Sequence, residues 1–242
     1  MTLSDRTGKG VRIAVIDSGV HAAHPHVGGV SRAIAIGRED AHGEDVLGHG
    51  TAVLAAIKEK APDAEYLAVR VYYESLRTSM RVLAEAIRWS LAERVDIINL
   101  SLGTTNQAHR DAMAELVAEA AEQGTLLVSA AETDGTPALP GCMQGVLGVQ
   151  VDWECPRTAF RCEASAAGLK WYASGYPRPL PGVPPRRNLY GVSFAVASMS
   201  GFAARACEAL PRSCGSARTL AGIEALLEIG ASRSEVGSAD IP

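Results

Sequence analysis

The chain has 242 residues, 47% of them hydrophobic, with 23 Lys and Arg against 27 Asp and Glu for a formal charge of −4. This length suffices for one α/β domain with a substantial core, and the mixed charge excludes the basic face that nucleic acid or an anionic membrane surface selects. No apolar stretch is long enough to span a bilayer, and the five cysteines, Cys142, Cys155, Cys162, Cys207 and Cys214, lack CxxC spacing, so reduced thiols are expected and a cysteine zinc site is not.

The pattern along the chain alternates strand and helix. Val11 to Ile16 (VRIAVI) is a short, β-branched run that reads as a strand buried on both faces of a parallel sheet, and Asp17 closes it before Ser18 and Gly19 turn the chain. His21, His24 and His26 follow in a short cluster, which reads as a solvated loop because no second ligand group lies nearby. A helix is expected over 49–59, a strand over 65–71, a helix over 78–93, a strand over 95–100 and a helix over 108–123. Strands over 125–130 and 146–151 and helices over 193–209 and 216–228 complete the series. The two central helices show core stripes, Met80, Leu83, Ala84, Ile87 and Leu91 in one and Met113, Leu116, Val117 and Ala120 in the other. Residues 174–190 hold five prolines and three arginines and read as an irregular surface segment, and the end of the chain from Ala231 reads as a loose tail. This alternation predicts an α/β fold of three layers, a mostly parallel sheet with helices on both faces, as a single domain over residues 1–242.

Three residues stand where chemistry is usually done. Ligands gather beyond the carboxyl ends of strands in such sheets, and Asp17 sits at such an end, although a strand-end aspartate also commonly caps a turn. His49 lies between Gly48 and Gly50 at the start of an apolar helix, where the glycines leave the ring uncrowded and let another backbone approach. A neutral imidazole there can take a proton, provided that a carboxylate on its other nitrogen fixes the tautomer, and Asp17 is the candidate. Ser193 opens a helix rich in small residues, Ala195, Ala197, Ser198, Ser200, Gly201, Ala203 and Ala204. A hydroxyl at that terminus is either a helix cap or a nucleophile whose oxyanion would meet free N–H groups and the positive end of the helix dipole.

The segments IAVIDSG, GHGTAV and YGVSFAVAS, with Asp17, His49 and Ser193 in that order, resemble the subtilisin-like serine proteases. The resemblance runs from about Val11 to about Ala209. It includes His24-Pro25, the strand Tyr66 to Val71 after Ala61-Pro62-Asp63-Ala64, the segment Asp96 to Gly103, Leu126 to Ala131, and Val146 to Val151. It implies that Ser193 is a nucleophile, His49 a general base and Asp17 its orienting acid, with Ser101, Leu102 and Gly103 pairing with an extended peptide substrate. It also implies a first specificity pocket walled by Ala130, Ala131 and Glu132 with Asp134 near its mouth. Two carboxylates there would attract a basic side chain unless both point into solvent.

The chain departs from the family pattern in three places. Only 12 residues separate His49 from Ala61, about the length of the helix itself, so the family's calcium loop is expected to be missing and stability to come from the core or a partner protein. Thr133 stands where an oxyanion-hole asparagine is usual; its hydroxyl can donate but reaches less far. Val192 and Ala197 replace a threonine and a proline. The polar first ten residues lack the apolar segment of a secretory signal, which gives the expectation of a cytoplasmic protein without a pro-domain. The functional expectation is a serine peptidase without cofactor or metal that processes a peptide or leader. The alternatives are a transamidating relative that makes cyclic peptides and a non-catalytic peptide-binding homologue.

Overall fold

Uninterrupted aliphatic runs such as IAVI and IINL are buried on both faces, the burial that central strands of a helix-covered parallel sheet require. The computed structural model describes residues 2–166, 168–184, 187–210 and 219–236, with backbone only over 232–236. Its eight-stranded sheet runs in the order β2 (Arg32–Ala35), β3 (Glu65–Arg70), β1 (Arg12–Asp17), β4 (Ile97–Leu100), β5 (Leu126–Ala130), β8 (Val146–Val151), β10 (Gly168–Ala173) and β9 (Phe160–Ser165). All pairings are parallel except β9 with β10. A separate two-stranded hairpin joins β6 (Glu132–Thr133) to β7 (Thr136–Pro137).

Alternate residues along each strand face opposite helical layers. Ile13 and Val15 pack under α1 (His49–Lys60), α4 (Val192–Ala209) and α5 (Leu220–Val236). Ala14 and Ile16 face α2 (Met80–Ala92) and α3 (Arg110–Glu122). The expected three-layer α/β architecture is therefore the one observed. The small residues of α4 serve close approach: a Cβ on Gly201 would lie 2.6 Å from Cβ of Lys60 in α1. At the far side, Trp171 of β10 is buried and donates from Nε1 to Glu224 Oε1 of α5 at 3.0 Å, a charged bond of about 1.5–3 kcal/mol that fixes α5 on the sheet.

The expected helices and strands appear within a few residues of their assigned limits. The last helix runs Leu220–Val236 and so overlaps the expected tail from Ala231, while residues 216–218 and 237–242 lie outside the described residues. Five strands were not expected. β2 is short and only partly buried, and β9 and β10 carry Arg161, Glu163 and Lys170 on a surface hairpin, so neither has an apolar run. The β6–β7 hairpin does carry a signal, Asp134-Gly135, whose φ angles of 49° and 74° make the two-residue turn that needs positive φ at both positions. The helix from His49 to Lys60 is unbroken.

Candidate active site

Adjacent strands β1, β4 and β5 end side by side, and their carboxyl ends place Asp17, Ser101 and Ala130 at one rim of the sheet. Helices α1 and α4 begin at the same rim, bringing in His49 as the first residue of one and Ser193 as the second of the other. His49, Ser193, Ser101, Leu102, Gly103, Ala130 and Thr133 line one cavity of about 200 Å³, together with Tyr72, Leu76 and Val192.

Asp17 and His49 form a direct pair. The imidazole Nδ1 lies 2.8 Å from Asp17 Oδ1, with the carboxylate side chain 1% and the imidazole 11% exposed. The same Oδ1 accepts from the Ser18 amide at 2.7 Å, while Oδ2 is buried without a hydrogen-bond partner. Burial pushes the His49 pKa down, but the Asp17 hydrogen bond, the Asp17 charge and the more distant Asp45 charge outweigh it, so the net shift is upward from 6.5. The Phe194 ring, 5.9 Å from the imidazole between centroids, packs beside it.

The close approach of α1 to the β1 turn depends on Gly50. A Cβ there would lie 2.2 Å from the Gly19 carbonyl oxygen and 3.2 Å from Asp17 Oδ1. The segment before α1 is organised by Asp45. Its Oδ1 accepts from the amides of Leu47 and Gly48, both at 2.9 Å, and from the Ser18 hydroxyl at 2.8 Å. Its Oδ2 accepts from the Thr51 amide at 2.9 Å and the Thr51 hydroxyl at 2.6 Å. Ser18 Oγ in turn accepts from the Gly50 amide at 2.9 Å, so one carboxylate ties the Asp17 turn to the start of the His49 helix. Sequence reading missed Asp45. Its signal was an acid four residues before a histidine that opens a helix with no capping side chain of its own.

Ser193 Oγ donates to the Ser101 carbonyl at 3.2 Å, and Ser101 Oγ donates to the Ser193 carbonyl at 3.1 Å. Behind them, Asn99 Nδ2 donates to Ser101 Oγ and Ser200 Oγ donates to Asn99 Oδ1, both at 2.9 Å, a buried polar chain that fixes α4 on β4. The serine hydroxyl is thus held by the Ser101 carbonyl, across the cavity shared with His49. Its backbone amide lies in the first turn of α4, where N–H groups have no intrahelical acceptor.

The expected substrate segment is rigid on one side. The Leu102 carbonyl accepts from Ser129 Oγ at 3.1 Å, and Thr104 exchanges backbone bonds of 3.0 and 2.8 Å with Leu139. Leu102 remains partly exposed and Gly103 exposed. Ala130 and Thr133 reach the cavity, whereas Glu132 is not among its lining residues and stands half-buried on β6. The cause is local: successive side chains along a strand point to opposite faces, and Glu132 and Thr133 are the two adjacent residues of β6. Among the described residues no group of three or more metal-ligating side chains is assembled, and no helix is long and apolar enough to cross a membrane.

Residues 8–235 match the model of the subtilase family, and the chain belongs to that family. It is 38% identical over 143 residues to the minor extracellular protease Epr of Bacillus subtilis, covering 53% of this chain and 21% of that protein. It is 34% identical over 179 residues to a thermostable alkaline protease of Halalkalibacterium halodurans, covering 67% of this chain and 48% of that protein. The chain therefore spans from about a fifth to about half of the length of these relatives. Among solved structures, a cold-adapted subtilisin-like serine proteinase superposes with a TM-score of 0.70 at 21% identity, over 93% of this chain and 84% of its own. The prenylagaramide maturation protease PagA does so with a TM-score of 0.62 at 24% identity, over 85% and 78%. These two likenesses are of fold.

Proposed function

We propose that the chain is a serine peptidase in which Ser193 attacks the scissile carbonyl, His49 accepts and returns the proton, and Asp17 orients His49. The observation that carries this reading is the buried Asp17–His49 pair at 2.8 Å, which engages Nδ1 with the carboxylate in a residue that lines the same cavity as Ser193. Family membership over residues 8–235 supports it and supports a single catalytic domain over most of the chain.

In the resting arrangement the nucleophile is engaged by the Ser101 carbonyl. A substrate strand added along Ser101, Leu102 and Gly103 brings its own N–H groups to that edge and competes for the same acceptor. Rotation of Ser193 about χ1 between staggered positions then turns its hydroxyl toward His49. The attack gives a tetrahedral oxyanion for which the Ser193 amide, at the positive end of α4, is the proposed donor, with the shorter-reaching Thr133 hydroxyl lining the same cavity. His49, now protonated and paired with Asp17, gives its proton to the leaving amine, and water repeats the sequence on the acyl-enzyme. The finer proposal is selective processing of one peptide or leader. PagA, named for prenylagaramide maturation, and a lanthipeptide protease of the same fold are consistent with such a role.

Labelling with a fluorophosphonate probe tests the reading. Modification of Ser193 in the intact protein, absent from Ser193→Ala and strongly reduced in His49→Ala, is expected. An unlabelled, folded wild-type protein would leave a non-catalytic peptide-binding subtilase. Product masses with added water mark hydrolysis, and masses without it mark transamidation.

A further inference from the structure

The carboxyl ends of β8 and β10 carry an aromatic cluster that the proposed chemistry does not use. The chain leaving β8 presents Trp153 and Glu154, the chain leaving β10 presents Gly175 and Tyr176, and Tyr190 arrives from the segment before α4. The Trp153 ring stands edge to face with Tyr176 at 5.4 Å and 67°, and with Tyr190 at 6.0 Å and 75°. These three rings and Glu154 line a cavity of about 360 Å³. Trp153 is 43% and Tyr190 60% exposed, so the rings are not core.

The walls are fixed by backbone. The Asp152 amide donates to the Ala173 carbonyl and the Gly191 amide to the Gly175 carbonyl, both at 2.9 Å, so the two strand exits and the segment leading to Ser193 are tied together. The Glu154 amide donates to Asp152 Oδ1 at 2.9 Å, and Arg161 holds Asp152 Oδ2 at 2.8 Å. Gly175 is needed for the Trp153 wall: a Cβ there would lie 2.6 Å from the indole.

We propose that Trp153, Tyr176, Tyr190 and Glu154 form a box for a basic side chain, lysine or arginine, of the peptide processed at Ser193; this rests on the peptidase reading above. Ring faces attract a cation through their quadrupole, a carboxylate at the wall adds a full charge, and the apolar stem of the basic residue lies along the rings. The box is unfilled by the chain's own cations among the described residues. Their cation–π contacts fall on Trp89, Tyr66, Tyr73, Tyr172 and Phe202, and the Glu154 carboxylate makes no ion pair there. Tyr190 lies three positions before Ser193, at most about 11 Å of chain. An extended peptide advances about 3.3 Å per residue, which puts the recognised side chain within about five residues of the scissile bond.

The test needs no turnover. Ser193→Ala protein with ¹⁵N-labelled indoles is titrated with acetyl-Ala-Lys-Ala-amide and with its norleucine analogue. The Trp153 signal is expected to move about three- to thirtyfold more steeply with the lysine peptide, while those of Trp89 and Trp171 stay fixed. Glu154→Gln and Tyr190→Ala should reduce the lysine response to the norleucine level, and Glu132→Gln should not. Equal responses to the two peptides, or a lysine preference that survives Glu154→Gln and Tyr190→Ala, would overturn the box. Fluorophosphonate labelling of wild-type Ser193 reports on the peptidase reading separately. Where that labelling succeeds, kcat/KM for peptides with lysine moved stepwise through five positions on either side of the cut should peak at one position, and the peak should vanish in Glu154→Gln.

Discussion

Gly50→Ala isolates the packing that holds the catalytic pair together. The added Cβ would start 2.2 Å from the Gly19 carbonyl oxygen, and both groups belong to backbone, so no side chain can rotate away. Relieving the overlap to an ordinary carbon–oxygen contact requires about 1 Å of separation between the start of α1 and the β1 turn. The Asp17–His49 bond spans that same gap at 2.8 Å. Separation by about 1 Å takes it beyond hydrogen-bonding range. Two consequences follow from that shift. Overpacking costs about 1–3 kcal/mol, which for a domain of this size lowers Tm by about 2–12 °C. His49 loses the interaction that raises its pKa but stays buried, so its pKa should fall below 6.5. NMR titration of the His49 ring in wild type and variant, with thermal unfolding alongside, measures both. Activity should fall about a hundredfold, as expected for a misplacement of this size. A variant whose Tm stays within about 1 °C and whose His49 still titrates above 6.5 would refute the account of how α1 meets β1.

Asp45→Ala removes the acceptor of three backbone amides and two hydroxyls ahead of α1, and a loss of about 2–4 kcal/mol in chemical denaturation is expected, with Asp45→Asn losing about half as much because one oxygen remains. The raised His49 pKa sets the sign of the pH dependence. Its contribution to stability is complete below the unfolded value near 6.5 and is lost as pH rises through the higher folded value, so the Tm penalty of Asp17→Asn should be larger at about pH 5.5 than at about pH 8.5. The acidic limb of kcat/KM should lie above 6.5 in wild type and move down in that variant. Thr133→Asn should raise kcat with little change in KM, because a longer amide donor acts mainly on the oxyanion; removing such a donor costs about 10² to 10³ in turnover in subtilisin itself, which bounds the gain. An unchanged kcat in a folded variant would mean that the Thr133 hydroxyl already reaches the oxyanion from β6.

Local sequence determined the central parallel strands β1, β3, β4, β5 and β8, the buried helices and the positions of Asp17, His49 and Ser193, because each depends on signals within a few residues. Unbroken aliphatic runs end in Asp17 and Ser101, and glycine-flanked or small-residue segments begin the helices at His49 and Ser193. The Asp134-Gly135 turn was equally local and readable. Tertiary structure alone decided what these ends face. Asp45 binds the start of α1 locally, but its bond to the Ser18 hydroxyl, which ties that start to the β1 turn, exists only once β1 and α1 meet. The Ser193 hydroxyl rests on the Ser101 carbonyl, 92 positions away in the chain, because α4 packs on β4 through Asn99 and Ser200. Trp153, Tyr176 and Tyr190 come from three separate segments with no shared motif. They converge because parallel β8 and β10 end at the same rim where α4 begins, and only folded strand order places residues from distant segments around one cavity.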